Sequence, residues 1–157
     1  MSTLQIENVQ DYPRPPDLQP VEHRIRVLLG GETVAESTGT LRVLETHHAP
    51  TYYIPPQDIL ARLVPSRGTS VCEWIGRAIY FDVQAGGKTA KRAAWTYPQP
   101  TGGFAALKDY VAIYASAMDD CFVGDERVIP QPGDFYGGWV TGNLRGTVKG
   151  AAGTEHW

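Results

Sequence analysis

The chain has 157 residues, of which 42% are hydrophobic and 20% charged, and a formal net charge of −3. That length suits one domain burying roughly 70% of its unfolded surface, and that composition excludes global disorder. The cations are scattered, and the densest run, Lys88 to Arg92, holds three. Neutralising a phosphate backbone or gripping an anionic membrane takes a tighter cluster, so neither nucleic acid nor a membrane is expected as a partner.

The 17 glycines and 12 prolines favour tight turns, and so short strands over long helices. No apolar stretch follows a basic start, and no apolar run approaches the ~18 residues of a membrane span. The two cysteines therefore read as reduced thiols in a cytoplasm, with a Cys72–Cys121 bridge as the alternative.

Residues 1–21 carry Pro13, Pro15, Pro16 and Pro20 with few aliphatic side chains. Proline removes backbone donors and fixes φ, so this stretch reads as an extended arm ahead of a single domain over 22–157. His23-Arg-Ile-Arg-Val alternates as a half-buried strand does, Gly30-Gly31 supplies the positive φ of a hairpin turn, and Glu32 to Ala35 returns. Thr40 to Glu45 alternates again, with Leu41, Val43 and Glu45 on one face. Thr51 to Ile54 forms a strand that stops at Pro55-Pro56. Pro56 then suits the first turn of a short helix, Gln57 to Leu63, closed by Pro65.

Arg77 to Val83 leads into the Gly86-Gly87 turn and Ala93 to Tyr97 returns, giving a second hairpin. Phe104 to Met118 fits both the helical and the strand period, and is taken as a short helix followed by a strand from Tyr110. Cys121 to Val123, a turn over Gly124 to Glu126, and Arg127 to Ile129 make a third hairpin. The tail from Phe135 is dense in glycine and aromatic residues and resists local reading. With no βαβ rhythm, the chain is expected to be mainly β, built of antiparallel hairpins with one or two short helices.

Four stretches carry a family resemblance: Leu44-Glu-Thr-His-His-Ala-Pro-Thr-Tyr-Tyr-Ile-Pro-Pro, Cys72-Glu-Trp-Ile-Gly-Arg-Ala, Ala94-Trp-Thr-Tyr-Pro and Phe135-Tyr-Gly-Gly-Trp-Val-Thr. Together they resemble the family named domain of unknown function 427, over about Ile25 to Trp157. The resemblance implies a β-tent-like fold of two small sheets about a pocket, in a bacterial or fungal cytoplasmic protein; some labels call the family nucleotidyltransferase-like. Two positions depart from the family pattern. Ile75 stands where Lys is usual, and Gly146-Thr-Val-Lys-Gly replaces the usual Gly-Pro-Phe-Lys-Gly.

Nucleotidyl transfer needs clustered carboxylates for Mg²⁺ and a turn that holds triphosphate. Here Asp119 and Asp120 are adjacent and would face opposite sides of a strand, and no phosphate-cradling loop is present. Metal ligation is not expected either. His47 and His48 are neighbours that point apart on a strand, Cys72 and Cys121 are single, and no Cys-x-x-Cys knuckle occurs. No cofactor is implied.

Cys72 is the sulfur inside a motif. It reads as a nucleophile if a base or cation lies beside it and as an inert core thiol if not. Glu45 sits on an apolar strand face, where a carboxylate must be paired or reach a cavity. Trp74, Trp95 and Trp139 each lie in a family motif, accompanied by Tyr53, Tyr80 and Tyr97, and an aromatic-lined cavity with one carboxylate favours a flat or cationic small molecule. The leading expectation is a small-molecule-binding domain using Glu45, Tyr53, Cys72, Trp74, Trp95, Tyr97 and Trp139. An enzyme using Cys72 or Glu45 and a structural or protein-interaction module are the alternatives. Lacking a phosphate loop and a carboxylate cluster, the chain is predicted to give no micromolar binding of ATP–Mg²⁺ in titration calorimetry.

Overall fold

A computed structural model of the chain describes residues 4–133 and 135–157. The chain opens with β1 (Glu7–Asn8) and β2 (Asp17–Pro20), then β3 (Ile25–Leu29), β4 (Glu32–Ser37), β5 (Leu41–Leu44) and β6 (Thr51–Tyr53). Three long strands follow, β7 (Arg62–Cys72), β8 (Gly76–Ala85) and β9 (Lys88–Thr96), and then β10 (Val111–Ile113). The remaining strands are short: β11 (Asp120–Val123), β12 (Glu126–Arg127), β13 (Ile129–Pro130), β14 (Trp139–Val140) and β15 (Leu144–Arg145).

Among the described residues these pair into two four-stranded sheets, β10-β9-β8-β7 and β12-β11-β3-β4, a three-stranded sheet β2-β5-β6, and two small ladders. Pairing is antiparallel except between β1 and β15. The protein is thus mainly β with several antiparallel sheets and no closed barrel. Its helical turns are 3₁₀ segments, the longest of them Gly102–Leu107 just ahead of β10. Among the described residues no helix is long and apolar enough to cross a membrane.

Both glycine-paired hairpins form as their sequences dictate. Leu29 pairs with Glu32 and Ala85 with Lys88, leaving two-residue loops at Gly30-Gly31 and Gly86-Gly87. All four glycines have φ between 55° and 79°, which matches the right-handed strand twist and which side chains resist. The two turns also touch. A Cβ on Gly86 would stand 2.0 Å from the Gly30 carbonyl oxygen. Asp119 ties them together: one carboxylate oxygen accepts the Gly30 N–H at 2.7 Å, and the other lies 3.5 Å from Lys88 Nζ.

Where β8, β9 and β10 pair, the sheet packs on both faces, because paired residues form rows that alternate in direction. The row Phe81–Ala94–Ile113 joins the larger core, with Ile25, Val27 and Val34 of the facing sheet. The next row, Tyr80–Trp95–Ala112, points the other way and packs with Val43 and Tyr53 of the three-stranded sheet. Between Phe81 and Val83 the register slips, so that Lys91, Arg92 and Ala93 face the single residue Asp82. Arg92 takes a left-handed φ of 51° there, and its N–H donates to Asp82 Oδ1 at 2.8 Å.

One expectation is corrected. Residues 57–63 do not form a helix. Pro56–Asp58 makes one 3₁₀ turn, the Leu60 and Ala61 N–H groups both donate to the Val34 carbonyl, and β7 begins at Arg62. Pro65 does not end the element, since β7 is an edge strand whose ladder is interrupted between Pro65 and Thr69. The amino-terminal segment pairs with the body through β1 on β15 and β2 on β5. There Val9 and Tyr12 pack on Leu44, while Glu7 accepts from the Tyr12 hydroxyl at 2.6 Å and from both Arg42 Nη atoms at 3.0 and 2.8 Å.

The turn contact separates two neighbouring glycines. Gly86→Ala meets both the strained φ and the Gly30 backbone, and should cost at least about 2 kcal/mol in urea unfolding. Gly87→Ala meets no atom within 4 Å and should cost about 1 kcal/mol, from φ alone.

Candidate functional site

Tyr80 and Trp95, side by side across β8 and β9, line a recess of about 210 Å³ on the face away from the larger core. Val43 and Glu45 enter from the end of β5, Thr51 and Tyr53 from β6, and Ser70, Val71 and Cys72 from β7. Trp74 and Ile75 come from the tight β7–β8 turn, and Phe135 to Gly138 come from the carboxy-terminal tail. Six of the seven residues singled out in the sequence meet here: Glu45, Tyr53, Cys72, Trp74, Trp95 and Tyr97. Trp139 does not. It is 1% exposed in the larger core, stacks on Tyr52 with ring centroids 5.1 Å apart, and donates its indole N–H to the Ile113 carbonyl at 3.0 Å. Its neighbours Gly137 and Gly138 line the recess, while Trp139, at the start of β14, packs on the larger core.

The aromatic walls interlock. Tyr53 meets Trp95 edge-on at 6.4 Å and tilts toward Tyr97 at 6.1 Å, while Trp95 lies 4.7 Å from Tyr114. Gly137 packs against the Trp95 indole so closely that a Cβ would fall 2.1 Å from the ring. Burial, reinforced by the neighbouring Tyr97, holds the Tyr53 hydroxyl well above the usual phenol range. Burial and the nearby Cys72 raise Tyr97 likewise, and burial pushes Tyr114 up to about 12. All three stay protonated at neutral pH and present O–H groups. The Trp74 indole N–H is buried with no hydrogen-bond partner among the described residues.

Glu45 is paired as well as placed at the recess: Arg14 Nε lies 3.8 Å from its carboxylate, and His48 Nδ1, a charge partner only when the ring is protonated, lies 4.0 Å away. The two histidines lie in a turn rather than on a strand. His47, at φ 63°, turns its ring onto Trp157 at 4.5 Å, while His48 lines the recess edge-on to Tyr136. His48 Nδ1 is 3.0 Å from the Thr46 carbonyl, an acceptor, so Nδ1 carries the proton and Nε2 is left free to accept in the neutral ring. Burial lowers the His48 pKa, helped by Lys149 and Arg14 and opposed by the Thr46 carbonyl and Glu45.

The two thiols differ. Cys72 is half-buried at the recess, while Cys121 is 2% exposed in the larger core, where burial pushes its pKa up to about 12. Asp119 faces Gly30 and Lys88 and Asp120 faces Arg127 at 2.7 Å, so the two carboxylates do not share a site. Among the described residues no group of three or more His, Cys, Asp or Glu is placed to hold a metal ion.

Ser70, Val71, Gln131 and Tyr114 also line the recess, although the sequence alone does not point to them, and Tyr80 of the aromatic group joins them. The first two were hidden by taking Pro65 as a stop, although Val64, Thr69 and Val71 are the β-branched residues of a strand. Gln131 had no local signal. It is 3% exposed and stitches the tail to the histidine turn, accepting the Ala49 N–H at 3.1 Å and donating to the Lys149 carbonyl at 2.8 Å.

Fold and site together define an antiparallel β domain with an aromatic recess walled partly by its own tail. The chain belongs to the family described as Domain of unknown function (DUF427), whose model matches residues 17–124. That description assigns no activity, and the nucleotidyltransferase label is a name alone. No curated protein matches the chain. The matched span ends before Phe135, so the tail wall of the recess lies outside it.

The lowered His48 pKa fixes the sign of a pH effect. The unfolded chain takes up a proton near the ordinary histidine value of about 6.5, while the folded chain resists until lower pH. Stability should therefore be full above that value and decline as pH falls below it. In urea unfolding across pH 5–8, His48→Gln is expected to flatten that decline.

Proposed function

We propose that this domain binds a small, flat molecule in the aromatic recess. The observation that carries the reading is the rim. Val71 and Phe135, at 76% and 69% exposure, stand uncovered at the mouth of a cavity walled by tyrosine and tryptophan. Exposed apolar groups cost little singly, but around an aromatic concavity they form the patch that a ligand covers. A volume of about 210 Å³ lies below the ~300 Å³ at which drug-sized sites begin, and it suits one or two rings. The unpaired Trp74 indole N–H, the protonated Tyr53 and Tyr97 hydroxyls, and the Glu45–His48 corner supply the few polar groups that fix orientation.

Nucleophilic catalysis by Cys72 is the weaker reading. The Tyr53 and Tyr97 hydroxyls that share the recess with Cys72 are held protonated and supply no base. The free state of both thiols supports a cytoplasmic setting.

Thermal melts against a library of small aromatic metabolites test the binding reading. Some compound should raise the melting temperature of the parent. Glu45→Gln should change that shift while altering the stability of the free protein by less than about 1 kcal/mol, since its ion pairs are long and partly exposed. A library that shifts nothing, together with a variant that loses about 1–3 kcal/mol, would mark these residues as core.

A further inference from the structure

Beside the aromatic recess lies a second concavity of about 420 Å³, and the two share the walls Ser70, Tyr80, Tyr114 and Phe135. The character of the surface changes across that boundary. The recess presents ring faces, whereas the second concavity adds Lys91, Arg92 and Ser116. Lys91 is engaged, its Nζ lying 3.4 Å from Asp82. Arg92 is different. Its guanidinium carbon sits over the Tyr80 ring, 4.0 Å from the centroid, and among the described residues no carboxylate comes within ion-pair distance of it.

This placement is built by the backbone. Arg92 occupies the left-handed region at φ 51°, where a residue with a side chain is disfavoured. The conformation is held because Asp82 Oδ1 accepts the Arg92 N–H at 2.8 Å inside the β8–β9 bulge. That hydrogen bond, aided by Lys91, keeps the Asp82 carboxyl below the usual carboxylate range. A bulge re-aims the side chain it carries, and here it lays a guanidinium against the wall that the two concavities share. Gly68 opposite leaves room for it: a Cβ there would already be in van der Waals contact with Arg92 Nη1 at 3.5 Å. Tyr80 is fixed in turn by a 2.7 Å hydrogen bond between its hydroxyl and Ser70 Oγ.

We infer that the ligand of the recess is an aromatic acid, its ring among Tyr53, Trp95 and Tyr97 and its carboxylate or phosphate held by Arg92 across the Tyr80 wall. The inference rests on the recess reading and adds its charge requirement. A guanidinium stacked on an aromatic face keeps its edge N–H groups free, and those groups match the paired oxygens of an acid. Glu45 does not oppose this, because its carboxylate is paired with Arg14, whose Nε lies 3.8 Å away.

The test compares acids with uncharged partners of the same shape: indole-3-acetate with indole-3-acetamide, and phenyl phosphate with phenol. Dissociation constants would be measured by calorimetry or tryptophan fluorescence on the full chain, on Arg92→Gln and on Arg92→Lys. Both substitutions keep the backbone N–H that Asp82 accepts, and melting temperatures would confirm that they fold. At least one acid should bind about tenfold tighter than its neutral partner. That preference should vanish in Arg92→Gln, return in part in Arg92→Lys, and weaken with added salt; the pair showing it identifies the acid as carboxylate or phosphate. Equal binding of acids and neutral partners, or a preference that survives Arg92→Gln, would overturn the anion anchor and leave the recess reading standing. No binding of either kind at millimolar concentration would remove both.

Discussion

The hydrogen bond from the Arg92 N–H to Asp82 is the constraint on which the middle of the molecule depends. Three residues of β9 face one of β8 at that point, and a strand carrying such an excess needs a partner for the amide that leaves the ladder. Asp82 provides it from a side chain that is 12% exposed. Beyond the bulge the register resumes, and the rows Phe81–Ala94–Ile113 and Tyr80–Trp95–Ala112 fall on opposite faces. The first fills the larger core. The second supplies Tyr80 and Trp95 to the recess, so core and site are two sides of one register.

A second constraint locks the two four-stranded sheets at their tips. The Gly30 and Gly86 turns are in backbone contact, and Asp119 reaches both hairpins. A carboxylate that invited comparison with metal-binding pairs is occupied by an amide and an ammonium group. Its neighbour Asp120 faces Arg127. Asp119 and Asp120 are thus turned to separate partners, whereas the aromatic walls offer stacking surfaces and a few oriented donors.

The tail completes what the family-matched span begins. Gln131 bonds Ala49 and Lys149, Trp139 donates its backbone N–H to the Pro50 carbonyl at 2.8 Å, and Lys149 donates to His47 at 2.7 Å. These contacts press Phe135 to Gly138 onto the histidine turn and bring Gly137 against Trp95. One wall of the recess therefore comes from residues more than thirty positions beyond the strand that carries its central tryptophan.

Local chemistry made the turns and the aromatic set legible in the sequence. Paired glycines admit the positive φ that a two-residue hairpin turn requires and that side chains resist, so both hairpins could be read directly. Trp95 and Tyr97 could be read as neighbours because alternation sends them the same way, and Glu45 because a carboxylate on an apolar face needs a destination. Tertiary structure decided what depends on distant partners. Pro65 reads locally as a stop, yet it is tolerated at a sheet edge where its missing N–H goes unneeded. Trp139 shares a motif with Gly137 and Gly138 but turns inward, because its indole N–H finds the Ile113 carbonyl. Arg92 looks like any exposed cation in the chain. Its aim is set by Asp82, ten positions earlier, and a side-chain-to-backbone bond across two strands leaves no periodic trace in sequence.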